Sequence, residues 1–331
     1  MFLAGDLGGT KVSFAVYSEE QGPREPLARV RLPSADYPSL EAAVRDFLGK
    51  HHLNVTRATF GVAGPVVKGR AQITNLPWIV DTRRLMEELE LEKVALINDL
   101  AAVAYAIPHL TEDEVVVVQE GEVEEHGTIG VIAPGTGLGQ AFITNTKGVY
   151  TPFASEGGHT DFAPADALQF GLLRYLKERF GHVSYERICS GSGLPNIYNY
   201  LRDVGYSHEP AWLTEELAAA DDRTPIIVRA AQDESNPVEL CVGTLKVFVS
   251  VLGAETGNLA LKILATGGIY LGGGMPLRLI NELTDGYFLQ SYLNKGRFSD
   301  LLTKFPVKII THPEAGLFGS ALHAFEQANL T

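Results

Sequence analysis

The opening of the chain sets an acid, two adjacent glycines, a hydroxyl and an amine in one short stretch. These are Asp6, Gly8, Gly9, Thr10 and Lys11 of "LAGDLGGTKV". Glycines lack Cβ atoms, so successive backbone N–H groups can point at an anion. Thr10 adds a hydroxyl donor and Lys11 a positive charge, while Asp6 could hold a magnesium ion directly or through water. The Walker A spacing is absent. Apolar residues on both sides also make this stretch a β-hairpin turn. On these residues alone, a phosphate-facing loop and a plain turn both stand.

A second Gly-rich turn, "PGTGLGQ" at 134–140, carries Gly135, Thr136 and Gly137. A dinucleotide fingerprint would require glycine at 140, where Gln140 stands, and an acid closing a second strand about 20 residues on. A second phosphate-facing turn fits better. "INDLAAVA" puts Asn98 and Asp99 where a buried strand meets a helix. There Asp99 is either an N-cap for backbone donors or a carboxylate at a strand's C-terminal edge, able to take a proton from a substrate hydroxyl. "SEGGHTDF" places Glu156 and His159 around two glycines. No H-E-x-x-H or cysteine partner supports a metal there, whereas a carboxylate and an imidazole could grip neighbouring hydroxyls of a sugar. Glu186, ahead of "CSGSG", is a similar candidate. An ordinary loop hydrogen bond is the plainer alternative for each. G-x-S-x-G cannot be aligned on Ser190 or Ser192, which argues against a serine hydrolase.

The elements that must position these residues follow from periodicity. Residues 2–5 and 12–17 predict a hairpin, and 27–32 another strand. "SLEAAVRDFLGKHH" (39–52) predicts a helix with Ser39 as N-cap. Strands are expected at 58–66 and 93–99, a helix with an Asp cap at 81–91, and a short helix that stops before Pro108. Residues 127–144 repeat the opening pattern of strand, Gly-rich turn and strand. Asp6-x-Gly8-x-Thr10 and Gly135-x-Gly137-x-Gly139 then occupy equivalent turns, a weak internal duplication that implies two similar halves with a cleft between them. Residues 120–126 ("EGEVEEH") read as a solvated hairpin rim. Helices follow at 166–181 and 193–205. Residues 235–265 are long enough for more than one helix, with a break near Gly253 or Gly257. "GGIYLGGGMP" (267–276) is a strand ending in glycines, and 307–325 is strand, loop and helix. This alternation is that of an α/β protein.

Composition sets the outer limits. The chain has 331 residues, 45% hydrophobic and 20% charged, with a formal net charge of −13. That length allows two domains. The acidic balance and the lack of a basic cluster argue against nucleic acid. Two distant cysteines, Cys189 and Cys241, exclude a disulfide framework and fit a reducing compartment. No basic n-region marks a signal peptide. The most apolar stretch, 238–280, is interrupted by Lys246, Glu255 and Lys262, so it reads as buried helix plus strand rather than a membrane span. The expectation is a soluble cytoplasmic protein.

In combination the motifs resemble the bacterial-type glucokinases of the actin-like, hexokinase-related ATPase superfamily. The residues that carry the resemblance are "GDLGGTK" (5–11), "IND" (97–99), "GTGLG" (135–139), "EGGH" (156–159), Glu186 in "YERICSGSG", "GGIYLGGG" (267–274) and "PEAGLFGSALHAF" (313–325). A sister group, the repressor–open-reading-frame–kinase type, carries a Cys-rich zinc motif after E-x-G-H. Here "TDFAPADALQFG" follows His159, which points to the zinc-free branch.

The resemblance implies an α/β, two-domain actin-like ATPase (ribonuclease H-like) fold with an interdomain cleft. Residues 1–108 with about 314–331 would form a small domain, and 109–313 a large one. The implied reaction is transfer from ATP to the 6-hydroxyl of glucose, with Asp99 as general base. Asn98, Glu156, His159 and Glu186 would hold the sugar. Gly8, Gly9, Thr10 and Gly135, Thr136 and Gly137 would face the phosphates, with Lys11 nearby. Asp6 would support Mg²⁺ through water, and Gly272, Gly273 and Gly274 would approach the adenosine. A homodimer is the family expectation. The alternatives are a kinase for another hexose or N-acetylated amino sugar, and a non-catalytic sugar sensor.

Overall fold

In the computed structural model, which describes residues 1–73 and 76–329, the opening segment forms the expected hairpin. Strands β1 (Phe2–Leu7) and β2 (Lys11–Tyr17) pair antiparallel with Leu7 opposite Val12. Strand β3 (Ala28–Pro33) adds antiparallel to β2. Helix α1 (Leu40–His51) starts where Ser39 Oγ accepts the Ala42 N–H, which satisfies one of the orphan donors of a helix start. Strand β4 (Arg57–Val62) pairs parallel to β1. Strands β5 (Arg70–Gln72) and β6 (Ile79–Asp81) form a small separate sheet that periodicity does not announce. Helix α2 (Thr82–Leu89) is capped by Asp81, and β7 (Lys93–Asn98) runs parallel to β4 into α3 (Asp99–Ala106).

Side-chain alternation along β1 gives this sheet two dry faces. Leu3 and Leu7 pack with Phe14, Phe47 and Phe60, whereas Phe2 and Ala4 point the other way. The parallel register aligns Leu7 with Val62, and Val62 with Asn98. Asp6 and the Asn98–Asp99 junction therefore lie at the same end of the sheet, the C-terminal end of its parallel strands.

The remainder begins with β8 (Val115–Gln119), β9 (Ile129–Pro134), β10 (Leu138–Thr146) and β11 (Val149–Ser155). Helices α4 (Ala167–Phe180), α5 (Leu194–Asp203), α6 (Ala211–Ala219), α7 (Thr224–Ala231) and α8 (Glu239–Ile263) follow. Then come β12 (Gly268–Leu271), α9 (Gly274–Arg278), α10 (Ile280–Thr284), α11 (Tyr287–Leu293), α12 (Ser299–Leu302), β13 (Val307–Ile310) and α13 (Ala315–Asn329). The first sheet runs β3-β2-β1-β4-β7 and the second β11-β10-β9-β12-β13-β8. Apart from β8, the two orders correspond strand for strand. The duplication that two glycine turns only hint at is thus carried by topology.

Cα proximity separates two compact units: Met1–Glu114, Ala141–Ala154 and His312–Thr331, and Val115–Gln140 with Ser155–Thr311. The sequence-based division stands at 108 and about 314, and no local pattern signals that residues 141–154 group with the first unit. In that unit α13 lays Leu317, Ala321 and Ala324 on Phe2, Ala4, Ala15 and Tyr17.

Two sequence expectations are corrected. Residues 235–265 hold one unbroken helix, α8, which starts after Pro237 and passes through Gly253 and Gly257. A Cβ at Gly253 would strike Phe288 O, and one at Gly257 would lie 2.6 Å from Tyr292 O. These glycines admit the backbone of α11 rather than end the helix. Each costs about 1 kcal/mol of helix propensity against Ala, offset by the close packing. By length and composition α8 could cross a membrane, but 83% of its most apolar window is buried inside the protein. Second, residues 120–126 are not a hairpin rim. β8 pairs antiparallel with β13, and β12 and β13 lie between β8 and β9. The segment is an exposed crossover, held where the Glu122 N–H donates to Lys304 O (2.7 Å) and the Glu124 N–H to Thr266 O (3.0 Å).

Candidate active site

In the first unit, the turn after β1 is closed by its own backbone. The Gly8 N–H donates to Lys11 O at 3.0 Å, and the Ser34 N–H donates to Thr10 O at 3.0 Å. Thr10 and Lys11 are exposed; Asp6, Gly8 and Gly9 are half-buried. Asn98 and not Asp99 caps α3: Asn98 Oδ1 accepts the N–H groups of Leu100 (3.0 Å) and Ala101 (3.2 Å). Asn98 Nδ2 donates to Gly64 O at 3.3 Å. This corrects the capping alternative for Asp99, which becomes the first helical residue. A helix N-terminus favours negative charge at that position, and Asp99 Oδ1 accepts the Leu100 N–H at 2.9 Å.

Burial first, and the charge of Asp99 second, push the Asp6 carboxyl up to about 6; Arg31 pulls the other way and Glu314 adds to the rise. The first turn of α13 closes on the same carboxyl, since a Cβ at Gly316 would lie 3.4 Å from Asp6 Cγ. A buried carboxyl whose ionisation a neighbouring acid disfavours marks a place where a cation lowers the energy. Among the described residues no three His, Cys, Asp or Glu side chains form a metal-binding group. That donor set fits Mg²⁺, which binds through one or two carboxylates plus waters and phosphate oxygens rather than an all-protein cage.

In the second unit, Glu156, His159 and Glu186 come together. His159 Nε2 lies 3.8 Å from Glu156 Oε2, and His159 Nδ1 lies 3.8 Å from Glu186 Oε1. The Glu156 and His159 side chains are 73% and 58% exposed, so these loose pairs contribute little stability and their polar atoms stay open to a ligand. Glu186 is more enclosed: its Oε2 accepts the Leu138 N–H at 3.0 Å. A Cβ on Gly137 would strike that same oxygen. Gly137 thus makes room for Glu186, and the second glycine turn adjoins the carboxylate cluster.

Gly135, Thr136 and Gly274 line a cavity of about 660 Å³ with Gly191, Ser192 and Arg278. The Gly191 N–H donates to Gly135 O (2.7 Å), and Ser192 Oγ donates to Thr136 O (2.9 Å). Gly272 continues the β12–β9 pairing through its N–H to Ile132 O (2.9 Å), and Gly273 turns the chain at φ +84° beneath Pro134 O. Sequence reasoning missed Gly191, Ser192 and Arg278. The "SGSG" run was the available signal, as a third glycine turn rather than a failed nucleophile elbow.

A family model described as Glucokinase matches residues 3–327. The glucokinase of Nostoc punctiforme is 39% identical over 339 aligned residues, covering 98% of each chain. Among solved structures, a glucokinase from an Antarctic psychrotroph superposes with TM-score 0.81 at 31% identity, covering 98% of each chain. A ROK family glucokinase from Streptomyces griseus, in complex with glucose and AMPPNP, shares the fold at TM-score 0.66 and 21% identity, covering 98% of this chain and 99% of that one. The α/β, actin-like ATPase fold expected from the motifs is the fold of these neighbours, and the chain belongs to the glucokinase family.

Proposed function

We propose that Asp99 is the general base of a glucose 6-phosphotransferase, taking the proton from the 6-hydroxyl as that oxygen attacks the γ-phosphorus of ATP. Phosphorylation of glucose by ATP is the activity of the family to which the chain belongs. The observation that carries the assignment is the division of labour at the start of α3. Asn98 Oδ1 alone reaches both Leu100 and Ala101, Asp99 Oδ1 shares only the Leu100 N–H, and the sheet register sets Asp99 at the end where Asp6 stands.

Phosphoryl transfer asks mainly for positioning and charge neutralisation, without a covalent intermediate. Glu156, His159 and Glu186 would hold the sugar hydroxyls, with Asn98 beside the base. The cavity at Gly135, Thr136 and Gly274 would take the nucleotide, with the turn at Gly8, Gly9, Thr10 and Lys11 on the phosphates and Gly272 and Gly273 shaping the adenosine side. Asp6 would hold Mg²⁺ through water, and the bound ion would neutralise phosphate charge. Water competes with glucose as acceptor, so a productive complex must exclude it. A cytoplasmic setting accompanies this reading, supported by two buried unpaired cysteines. So does a homodimer, which sedimentation would test.

A coupled assay of ADP release over glucose, other hexoses and N-acetylated amino sugars tests the assignment. The expected result is fastest turnover on glucose, lost in Asp99→Asn while calorimetry still detects glucose binding. Near-normal turnover in that variant would remove Asp99 from the role, and sugar binding without ADP release in the parent chain would identify a sensor.

A further inference from the structure

α8 is lined with apolar side chains, yet it carries Glu255, fully buried in the second unit. Both carboxylate oxygens accept hydrogen bonds, Oε1 from Gln140 Nε2 (2.8 Å) and Oε2 from Asn258 Nδ2 (3.0 Å). Lys262 Nζ stands 3.8 Å away. A buried carboxylate is a weak stabilising device compared with apolar packing, so the destinations of these bonds matter more than their number.

Gln140 is 3% exposed, and its Oε1 abuts Gly157 so closely that a Cβ there has no room. Gly157 follows Glu156 in the tight turn that ends at His159. Asn258 Nδ2 also reaches Tyr185 Oη at 3.1 Å, so one amide bridges the Glu255 carboxylate to the Tyr185 hydroxyl. Tyr185 is 3% exposed, packs edge-on against Phe162, and directly precedes Glu186. Its N–H donates to Thr160 O at 3.1 Å, which ties the two turns to each other.

We propose that Glu255 is a positioning residue for sugar binding: one buried carboxylate that holds the Glu156–His159 turn through Gln140, and the Glu186 turn through Asn258 and Tyr185. The inference rests on the reading of Glu156, His159 and Glu186 as the sugar-binding set. Glu255 itself touches no substrate. Its action is to fix where three other side chains point.

The test is a steady-state comparison of glucose KM, ATP KM, kcat and Tm in the full chain. Loss of a charge-assisted buried bond predicts that Glu255→Gln raises glucose KM about tenfold, with ATP KM within about twofold of the parent value. The exchanged pair, Gln140→Glu with Glu255→Gln, restores one donor and one acceptor. It should bring glucose KM back to within about threefold. Should Glu255→Gln not fold, Gln140→Leu carries the same expectation, because it cuts one bridge and keeps an apolar filling. Equal rises in both KM values, or a lowered Tm with unchanged glucose KM, would overturn the inference. Glu156→Gln and Glu186→Gln run beside these variants. Unchanged glucose KM in both would overturn the sugar-site reading itself and the inference with it. Raised values there, beside an unchanged value in a folded Glu255→Gln, would overturn the inference alone.

Discussion

In the turn between β1 and β2, Gly8 closes the hairpin on its own backbone, its N–H on Lys11 O. In the turn between β9 and β10, Gly137 instead leaves room for a carboxylate that arrives from Glu186. Both turns follow the third strand of sheets whose strand orders match apart from β8. The first follows Asp6 on its own strand, with Asp99 set at the same sheet end by register, two strands across. The second borrows its acid from a distant loop. The strand order is repeated and the side chains differ. Two carboxyls, Asp6 and Asp99, stand at one sheet end in one unit, and a carboxylate–imidazole cluster with a glycine-lined cavity in the other. To these the proposed function assigns the cation, the sugar and the nucleotide.

Variants can break that division, and the largest effect is expected at Asp99. A positioned base contributes about 10²–10⁴-fold, so Asp99→Ala should lower kcat by at least ~10² with an unchanged circular dichroism spectrum. A fall of less than that would return Asp99 to a structural part.

Next comes Gly137→Ala. The added methyl displaces the Glu186 carboxylate, and glucose KM should rise about tenfold, the worth of one hydrogen bond to a charged group, with ATP KM little changed. An effect on ATP alone would erase the contrast between the turns.

Asp6→Asn should act the other way round, raising the KM for Mg-ATP and sparing glucose. It also has a stability signature. A carboxyl held up at about 6 binds its proton more tightly in the folded chain than in the unfolded one. Its ionisation therefore costs nothing below the ordinary carboxylate range, grows costly as pH rises through about 6, and is fully costly above. Without ligands, Asp6→Asn should raise Tm by about 2–4 °C at pH 7.5 and leave it unchanged at pH 4. A gain of equal size at both values would refute the charge explanation.

The smallest effect is expected at Gly135→Ala, whose Cβ meets nothing within 4 Å. A methyl there enters the cavity without displacing protein. Glucose KM should hold and ATP KM should shift only in competition with the nucleotide itself, read by titration with ADP.

Much of the first unit was legible because its signals are local. The hairpin, the Ser39 and Asp81 caps and the strand-to-helix junction at 98–99 depend on residues a few positions apart. Within that junction the sequence left two parts open for Asp99. Asn and Asp both cap well, and only the backbone geometry tells which one does. The second unit hid more, because its decisive contacts are long-range. Gly253 and Gly257 read as a break until α11 is seen lying across them. β8 could not be placed from its own valines, since its partner β13 lies almost 200 residues further on. Arg278 and Ser192 reach the cavity from separate elements with no shared period. Gln140 was noticed only as the residue that spoils a dinucleotide fingerprint, and its place beneath Gly157 has no sequence signature.

The docking of α13 on β1 has a consequence for the order of events on the ribosome. The face made by Phe2, Ala4, Ala15 and Tyr17 is synthesised about 300 residues before its cover, Leu317, Ala321 and Ala324. At about 5–20 residues per second, roughly 15–60 s of translation separate the two. Throughout that interval the apolar face of β1 and β2 lacks the helix that covers it in the folded chain.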